Sequence, residues 1–248
     1  TSMNCNLTID IGNSSTKLTL WHEGNPVAAT RLASDLTAED LALFIGGNTV
    51  HAIAYCSVKS EKDTPDIPAL AKGLAGKIYR LDYVLPTPLV NDYSTAHTLG
   101  ADRLAAACGA YSLYEGRDIL IVDLGSAATY DHVSADGHFC GGNIAPGLGL
   151  RLKILNEHTG RLPCLSVAED TPNEIFALST KDAIVNGCRR GIAAEILYYN
   201  NALPCGSIVI LTGNDAAAIA PLLGDVDVRI DKDLVGRGLN NIIIYNEN

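Results

Sequence analysis

Asp118-Ile-Leu-Ile-Val-Asp-Leu-Gly125 is the stretch that decides the fold. It is a near-continuous apolar run closed by an aspartate and a glycine, a pattern that suits a strand buried on both faces. A small polar turn follows, and Ala127 to Val133 reads as the hairpin partner. The same order occurs earlier. An apolar strand from Cys5 to Ile11 ends in Asp10-Ile-Gly12, a polar turn follows, and Leu18 to Trp21 reads as a second strand. In both copies an aspartate closes a buried strand and a glycine removes a side chain beside it. Strands alternate with helices after each copy, so the chain reads as two related α/β lobes with a cleft between them, residues 3–115 and 116–248.

Working outward, a helix is expected near Asp40 to Phe44, a strand over Val50 to Val58, a helix over Pro68 to Gly76 and a strand over Lys77 to Leu81. Thr87 to Thr98 reads as irregular. From Ala101 to Tyr114, Leu104, Ala105, Cys108 and Tyr111 recur at three- and four-residue steps, which predicts a helix. Asp136-Gly137 marks a turn. Gly141 to Gly149 reads as a shaped glycine-rich loop that opens a helix through Leu155. A long helix is predicted from Thr180 to Ala202, strands over Ser207 to Thr212 and Val226 to Ile230, and a closing helix over Gly236 to Tyr245.

Composition narrows the function. The chain has 248 residues, 47% hydrophobic and 19% charged, enough to bury a real core. Aromatics are 6%, which argues against a flat aromatic recognition surface. Eighteen basic against 28 acidic residues leave a formal charge of −10, so neither nucleic acid nor an anionic membrane is an expected partner. A phosphate remains bindable where backbone N–H groups and a metal neutralise it. The seven cysteines are spread through apolar stretches with no C-x-x-C, so reduced thiols in a cytoplasmic protein are expected. His138 and Cys140 lack the further paired ligands that a metal site needs. The chain shows no basic segment followed by an apolar run, and no apolar stretch approaches the roughly 18–20 residues that span a bilayer.

Four segments carry chemistry. In the first turn, Gly12 lets the backbone approach a ligand, Asn13, Ser14, Ser15 and Thr16 add short polar groups, and Lys17 adds charge. Asp10 beside them suits Mg²⁺, which prefers oxygen ligands. Such residues also populate plain hairpin turns. No G-x-x-x-x-G-K-[ST] run occurs, which excludes a Walker-type site. The second turn, Asp123-Leu-Gly-Ser-Ala-Ala-Thr129, offers a second nest facing the first, two nests on one polyphosphate. At Gly100-Ala-Asp102-Arg103, Asp102 is either a first-turn stabiliser or a base for a substrate hydroxyl, kept ionised by the helix dipole; Arg103 is either a surface charge or an anchor for a carboxylate or phosphate. Gly141-Gly-Asn-Ile-Ala-Pro-Gly147 is either a tight helix entry or a segment that orders the neighbouring turn.

Taken in order and spacing, Asp10-x-Gly-Asn-x-x-x-Lys17, Gly100-x-Asp-Arg103, Asp123-x-Gly-Ser-Ala-x-Thr129 and Gly141-Gly-x-Ile-x-Pro-Gly147 resemble type III pantothenate kinases. Asn91-Asp-Tyr93, Ser179-Thr180 with Ala183-Ile184 and Gly187, and Leu211-Thr-Gly-Asn-Asp-Ala216 extend the likeness over most of the chain. The resemblance implies an α/β fold of two ribonuclease-H-like lobes, of the acetate-and-sugar-kinase/Hsp70/actin superfamily, with a central cleft, working as a homodimer. It implies ATP-dependent phosphorylation of the primary hydroxyl of pantothenate, the first step toward coenzyme A, with Mg²⁺ and a monovalent cation, K⁺ or NH₄⁺. Carried over, Asp102 is the general base; Asp10, Ile11, Gly12, Asn13, Ser14, Ser15, Thr16 and Lys17 form the ATP phosphate loop, with Ser126 the second phosphate contact. Asp123 is the monovalent-cation ligand. Tyr93, Gly100, Ala101, Asp102, Arg103 and Thr180 touch pantothenate. Ser126 stands where threonine is usual, which keeps the hydroxyl. Cys56-Ser-Val-Lys59 replaces a Ser-Val-Val-Pro-like stretch.

Two other readings compete. A sugar kinase of the same superfamily would call for a carboxylate-rich sugar loop and a different chain length. A non-catalytic, regulatory relative would be expected to lack the base, and Asp102 is present.

Overall fold

The computed structural model describes residues 2–33, 35–166 and 174–248, which divide into two compact units. The first unit comprises residues 1–115, 137–139 and 233–248, and the second comprises 116–136 and 140–232.

The first unit opens with β1 (Asn4–Ile11), β2 (Thr16–His22) and β3 (Asn25–Leu32). Then come α1 (Ala38–Ile45), β4 (Thr49–Ser57), α2 (Ile67–Leu70), β5 (Lys77–Arg80), β6 (Val90–Asn91) and α3 (Ala101–Leu113). Its five-stranded sheet has the order β3-β2-β1-β4-β5. The β1–β2 and β2–β3 pairs are antiparallel, while β1–β4 and β4–β5 are parallel. Leu7, Ile9 and Ile11 are fully buried, and with Leu18, Leu20, Leu41 and Ile53 they make this unit's core. The start of α1 is fixed by a reciprocal cap between Thr37 and Asp40.

The second unit contains β7 (Ile119–Leu124), β8 (Ala127–Val133) and most of β9 (His138–Pro146). These are followed by α4 (Leu148–Glu157), α5 (Thr180–Asn201), β10 (Ile208–Thr212), α6 (Ala216–Ile219) and β11 (Val228–Ile230). From β9 to β11 the strand order is β9-β8-β7-β10-β11. The β7–β8 pair is antiparallel, and β10 runs parallel to both β7 and β11. This is the first sheet's order repeated strand for strand, so both Asp-x-Gly units are hairpins inside equivalent five-strand arrangements. The two-lobe α/β reading of the sequence is the architecture found. Leu120, Val122, Val209 and Leu211 centre the second core, with Ile184, Ile192 and Ile196 of α5 packed on it.

The closing helix α7 (Leu234–Glu247) belongs to the first unit by its packing, whereas the sequence division placed 116–248 together. Its glycines explain why. Gly109 of α3 and Gly238 of α7 meet so closely that a Cβ on Gly238 would lie 1.7 Å from the Ala105 carbonyl oxygen. Other segments also depart from the sequence reading. Gly141 to Pro146 is not a loop, because β9 runs through it as a neighbour of β8. Ladder pairing outweighs glycine's weak strand preference there. The expected helix over 68–76 shrinks to Ile67–Leu70, and Gly73 beyond it adopts φ +78°. The strand β3 was not anticipated; it is largely exposed on both faces and shows no alternation.

Candidate active site

The first turn is built by strand register. Ile11 pairs with Thr16, leaving residues 12–15 to reverse the chain. The Gly12 N–H donates to the Ser15 carbonyl at 2.9 Å, and a Cβ at Gly12 would sit 3.0 Å from that same oxygen. Asn13 and Ser14 are exposed at the tip. Asp10 lies opposite Lys17 on β2 and opposite Cys56 on β4, and Lys17 lies opposite Arg31 on β3. Directly paired residues share a sheet face, so Arg31, Lys17, Asp10 and Cys56 form one row across four strands. The Lys17 ammonium pairs with Asp233, at the start of α7, at 2.6 Å. An Arg31 Nη1–H donates to Ser15 Oγ at 2.8 Å, and the Cys56 thiol donates to Asp10 Oδ1 at 3.7 Å.

Asp102 stands in the first turn of α3, half-buried, its Oδ1 accepting the Arg103 N–H at 2.9 Å. Gly100 leaves room for this carboxylate, since a Cβ there would fall 2.6 Å from that oxygen and the Asp102 side chain would have to shift. Burial pushes the Asp102 carboxyl up, and hydrogen bonding to Arg103 only partly offsets it. The sequence reading has the helix dipole keeping this group ionised; desolvation acts in the opposite direction to the dipole. Asp10 is pushed up to about 6, first by burial and then by the negative charge of Asp102, with Arg31 pulling the other way. Both carboxylates therefore occupy one desolvated corner of the first unit. The Arg103 side chain is buried, its guanidinium 5.6 Å from the centre of the Tyr93 ring. Tyr93 packs edge-on to Phe139 at 6.1 Å, and its N–H donates to Asn91 Oδ1 at 3.0 Å.

In the second unit Asp123 is the penultimate residue of β7, paired with Thr129 on one side and Thr212 on the other. The Gly125 N–H donates to the Ala127 carbonyl at 3.1 Å, closing the turn. Gly147 and Gly213 wall it. The Gly147 N–H donates to the Ser126 carbonyl at 3.1 Å, and a Cβ on Gly147 would lie 2.1 Å from the Gly125 oxygen. Gly213 adopts φ +87°, where a side chain would be strained and would also strike the Leu124 carbonyl. Beside this turn is a cavity of about 420 Å³ whose lining includes Gly125, Ser126, Leu150, Lys153, Asn214 and Asp215. Burial pushes the Asp215 carboxyl up. Thr180 is exposed at the first position of α5, directly after the Ser179 cap.

The type III pantothenate kinase family profile covers residues 6–201. A type III pantothenate kinase of Porphyromonas gingivalis is 36% identical over 98% of this chain and 100% of its own length. The chain belongs to the type III pantothenate kinase family. A member of this family is an enzyme, a kinase acting on pantothenate. Among solved structures, a Baf family protein of Campylobacter jejuni is 25% identical and superposes with a TM-score of 0.65 over 98% of this chain and 99% of its own. A protein assigned as a 2-dehydro-3-deoxygalactonokinase from Sinorhizobium meliloti, 14% identical, gives 0.63 over 97% and 99%, a likeness of fold. The two-unit α/β fold is shared with these solved structures.

For this pantothenate kinase family member, the structure gathers Asp10 to Lys17, Tyr93 and Gly100 to Arg103 in the first unit, and Asp123, Ser126 and Thr180 in the second. Three neighbours of these residues were not foreseen. Arg31 lies on the unanticipated β3, and Asp233 meets Lys17 from the far end of the sequence. Lys153 lines the second unit's cavity from α4. Among the described residues no group of three or more His, Cys, Asp or Glu side chains is assembled for a metal, and no helix is long and apolar enough to cross a membrane. Mg²⁺ commonly uses one or two carboxylates and takes its remaining ligands from substrate phosphates and water, which the Asp10 corner fits.

Proposed function

We propose that this chain transfers the γ-phosphoryl group of ATP to the primary hydroxyl of pantothenate, giving 4′-phosphopantothenate and ADP, as a cytoplasmic homodimer at the first step of coenzyme A biosynthesis. Asp102 accepts the hydroxyl proton while the hydroxyl oxygen bonds to the γ-phosphorus and the bond to the ADP oxygen breaks. The observation that carries this reading is the placement of Asp102. It is a desolvated carboxyl at a helix start in the corner that also holds Asp10, with its pKa raised toward the working pH where a general base performs best. Phosphoryl transfer asks the protein mainly for positioning and charge neutralisation. The turn of residues 12–15 presents N–H and hydroxyl groups to the phosphates, and Ser126 presents a second hydroxyl. Tyr93, Arg103 and Thr180 bind pantothenate. The second unit's cavity is of a size for a nucleoside and lies on the Leu211 to Ala216 loop.

Asp10 would hold Mg²⁺, which neutralises phosphate charge, a need that the chain's own charge of −10 sharpens. Asp123, with the carbonyls of its turn, would hold K⁺ or NH₄⁺. A steady-state assay with ATP, Mg²⁺ and pantothenate tests both parts. The expected result is phosphopantothenate that forms in potassium or ammonium and falls sharply in sodium. Equal turnover in sodium would remove the monovalent cation, and absence of the product would remove the function.

A further inference from the structure

We infer that Arg31 is a nucleotide-binding residue, a cation on β3 that grips the polyphosphate at the first turn; the inference rests on the reading that residues 12–15 receive the ATP phosphates. The sequence points to Lys17 as the charge of that loop, and the geometry gives Lys17 a second engagement. Its ammonium is paired at 2.6 Å with Asp233, and the two side chains are only 16% and 11% exposed. Lys17 is thus tied to the start of α7. Arg31 is the next residue along the same row, one strand further out. It is exposed, and its Nη1–H donates to Ser15 Oγ, the hydroxyl of the turn itself, at 2.8 Å.

A neutral hydroxyl is a weak partner for a guanidinium. A phosphate oxygen offers a charge-assisted bond and accepts the planar fork at two points, so it displaces or joins the Ser15 contact with a net gain. Arg31 also lies close enough to Asp10 for its charge to act there. It therefore touches the turn at Ser15 and acts by charge on the acid at its base, the stretch along which a polyphosphate would run. In a chain with ten more negative than positive charges, a cation so placed has a large effect on the capture of a polyanion.

Calorimetric titration of the full chain with Mg·ATP, inorganic tripolyphosphate and adenosine tests this, comparing wild type with Arg31→Gln and Arg31→Lys. Arg31→Gln is expected to weaken Mg·ATP and tripolyphosphate about tenfold, the loss of one charge-assisted contact. Adenosine affinity, melting temperature and the KM for pantothenate should stay within twofold or a few degrees, and Arg31→Lys should recover part of the loss. Mg·ATP affinity unchanged in Arg31→Gln would overturn the inference, as would an equal loss for adenosine. A tenfold binding loss alongside a wild type that forms no phosphopantothenate would uphold Arg31 and remove the kinase reading instead.

Discussion

Asp10 and Asp102 share one poorly solvated corner, and their proton affinities follow from that. Substitution Asp102→Asn keeps the shape and removes the base, so turnover should fall by about 10²–10⁴-fold while Mg·ATP still binds; calorimetry beside the coupled assay separates the two. Because burial raises the Asp102 pKa, the base is protonated at a pH where an ordinary aspartate, near about 4, is still ionised. The acid limb of kcat should therefore lie above the usual carboxylate range, and a limb at or below pH 4 would contradict the assignment. Stability carries the opposite sign. The folded-state pKa of Asp10, about 6, exceeds the unfolded value, so the folded chain binds the extra proton and gains stability as pH falls from about 6 toward 4. In metal-free buffer, Asp10→Asn should melt higher than wild type at pH 7.5, and the gap should narrow at pH 5. The two aspartates were legible in the sequence because each closes an apolar run or opens a helix. Arg31 and Asp233 were not, because strand register and a contact between residues 17 and 233 create their roles.

At the scale of elements, close helix crossing sets the tolerance to substitution. On α7, Gly238 sits against α3 so tightly that an added Cβ would lie 1.7 Å from the Ala105 carbonyl oxygen and 3.0 Å from the Gly109 nitrogen. Backbone atoms, not a flexible side chain, stand in the way. Overpacking costs about 1–3 kcal/mol, and Gly238→Ala should reach the upper end, read as a fall in the denaturant midpoint. Gly187 on α5 is the counter-case. It is exposed, and a Cβ there would meet nothing within 4 Å. Gly187→Leu should leave the melting temperature unchanged and, if the stripe with Ala183 is the homodimer seam, shift sedimentation toward monomer; a mutant that stays a dimer removes the seam. Element type was readable wherever one period dominated: α3 and α5 end within a residue of the expected bounds, since apolar and small residues recur every three or four positions. The failures have physical causes. Strand β3 has no buried face to impose alternation, and β9 spends two glycines and a proline in a segment that only pairing with its neighbour holds extended.

The whole molecule is a duplicated plan whose first copy is completed by the last residues of the chain. The duplication was visible in two Asp-x-Gly hairpins, but the return of α7 to the first unit was not, because nothing local in an amphipathic helix names the sheet it will cover. That return makes the first unit discontinuous, and its stability depends on it. In α7, Leu234, Val235, Leu239, Ile242 and Ile243 are buried, and burial of such side chains is worth about 1.5–3 kcal/mol each. Together they rival the total stability of an ordinary domain, about 5–15 kcal/mol. The helix also covers the sheet face that carries Lys17, since Gly236 lies against Thr8, Thr19 and Trp21, and Asp233 holds Lys17. Trp21, the chain's single tryptophan, reports on this cover. It is 1% exposed, donates its indole N–H to Thr8 at 2.8 Å, and lies under the Arg237 guanidinium. Deleting residues 233–248 should red-shift its emission to that of a solvated indole and abolish Mg·ATP binding at the first turn. The second unit, whose core contains no α7 residue, should retain a cooperative melt of smaller amplitude by circular dichroism. A truncated chain that keeps the blue-shifted emission would show that the first unit closes over its sheet without α7, and the dependence argued here would be wrong.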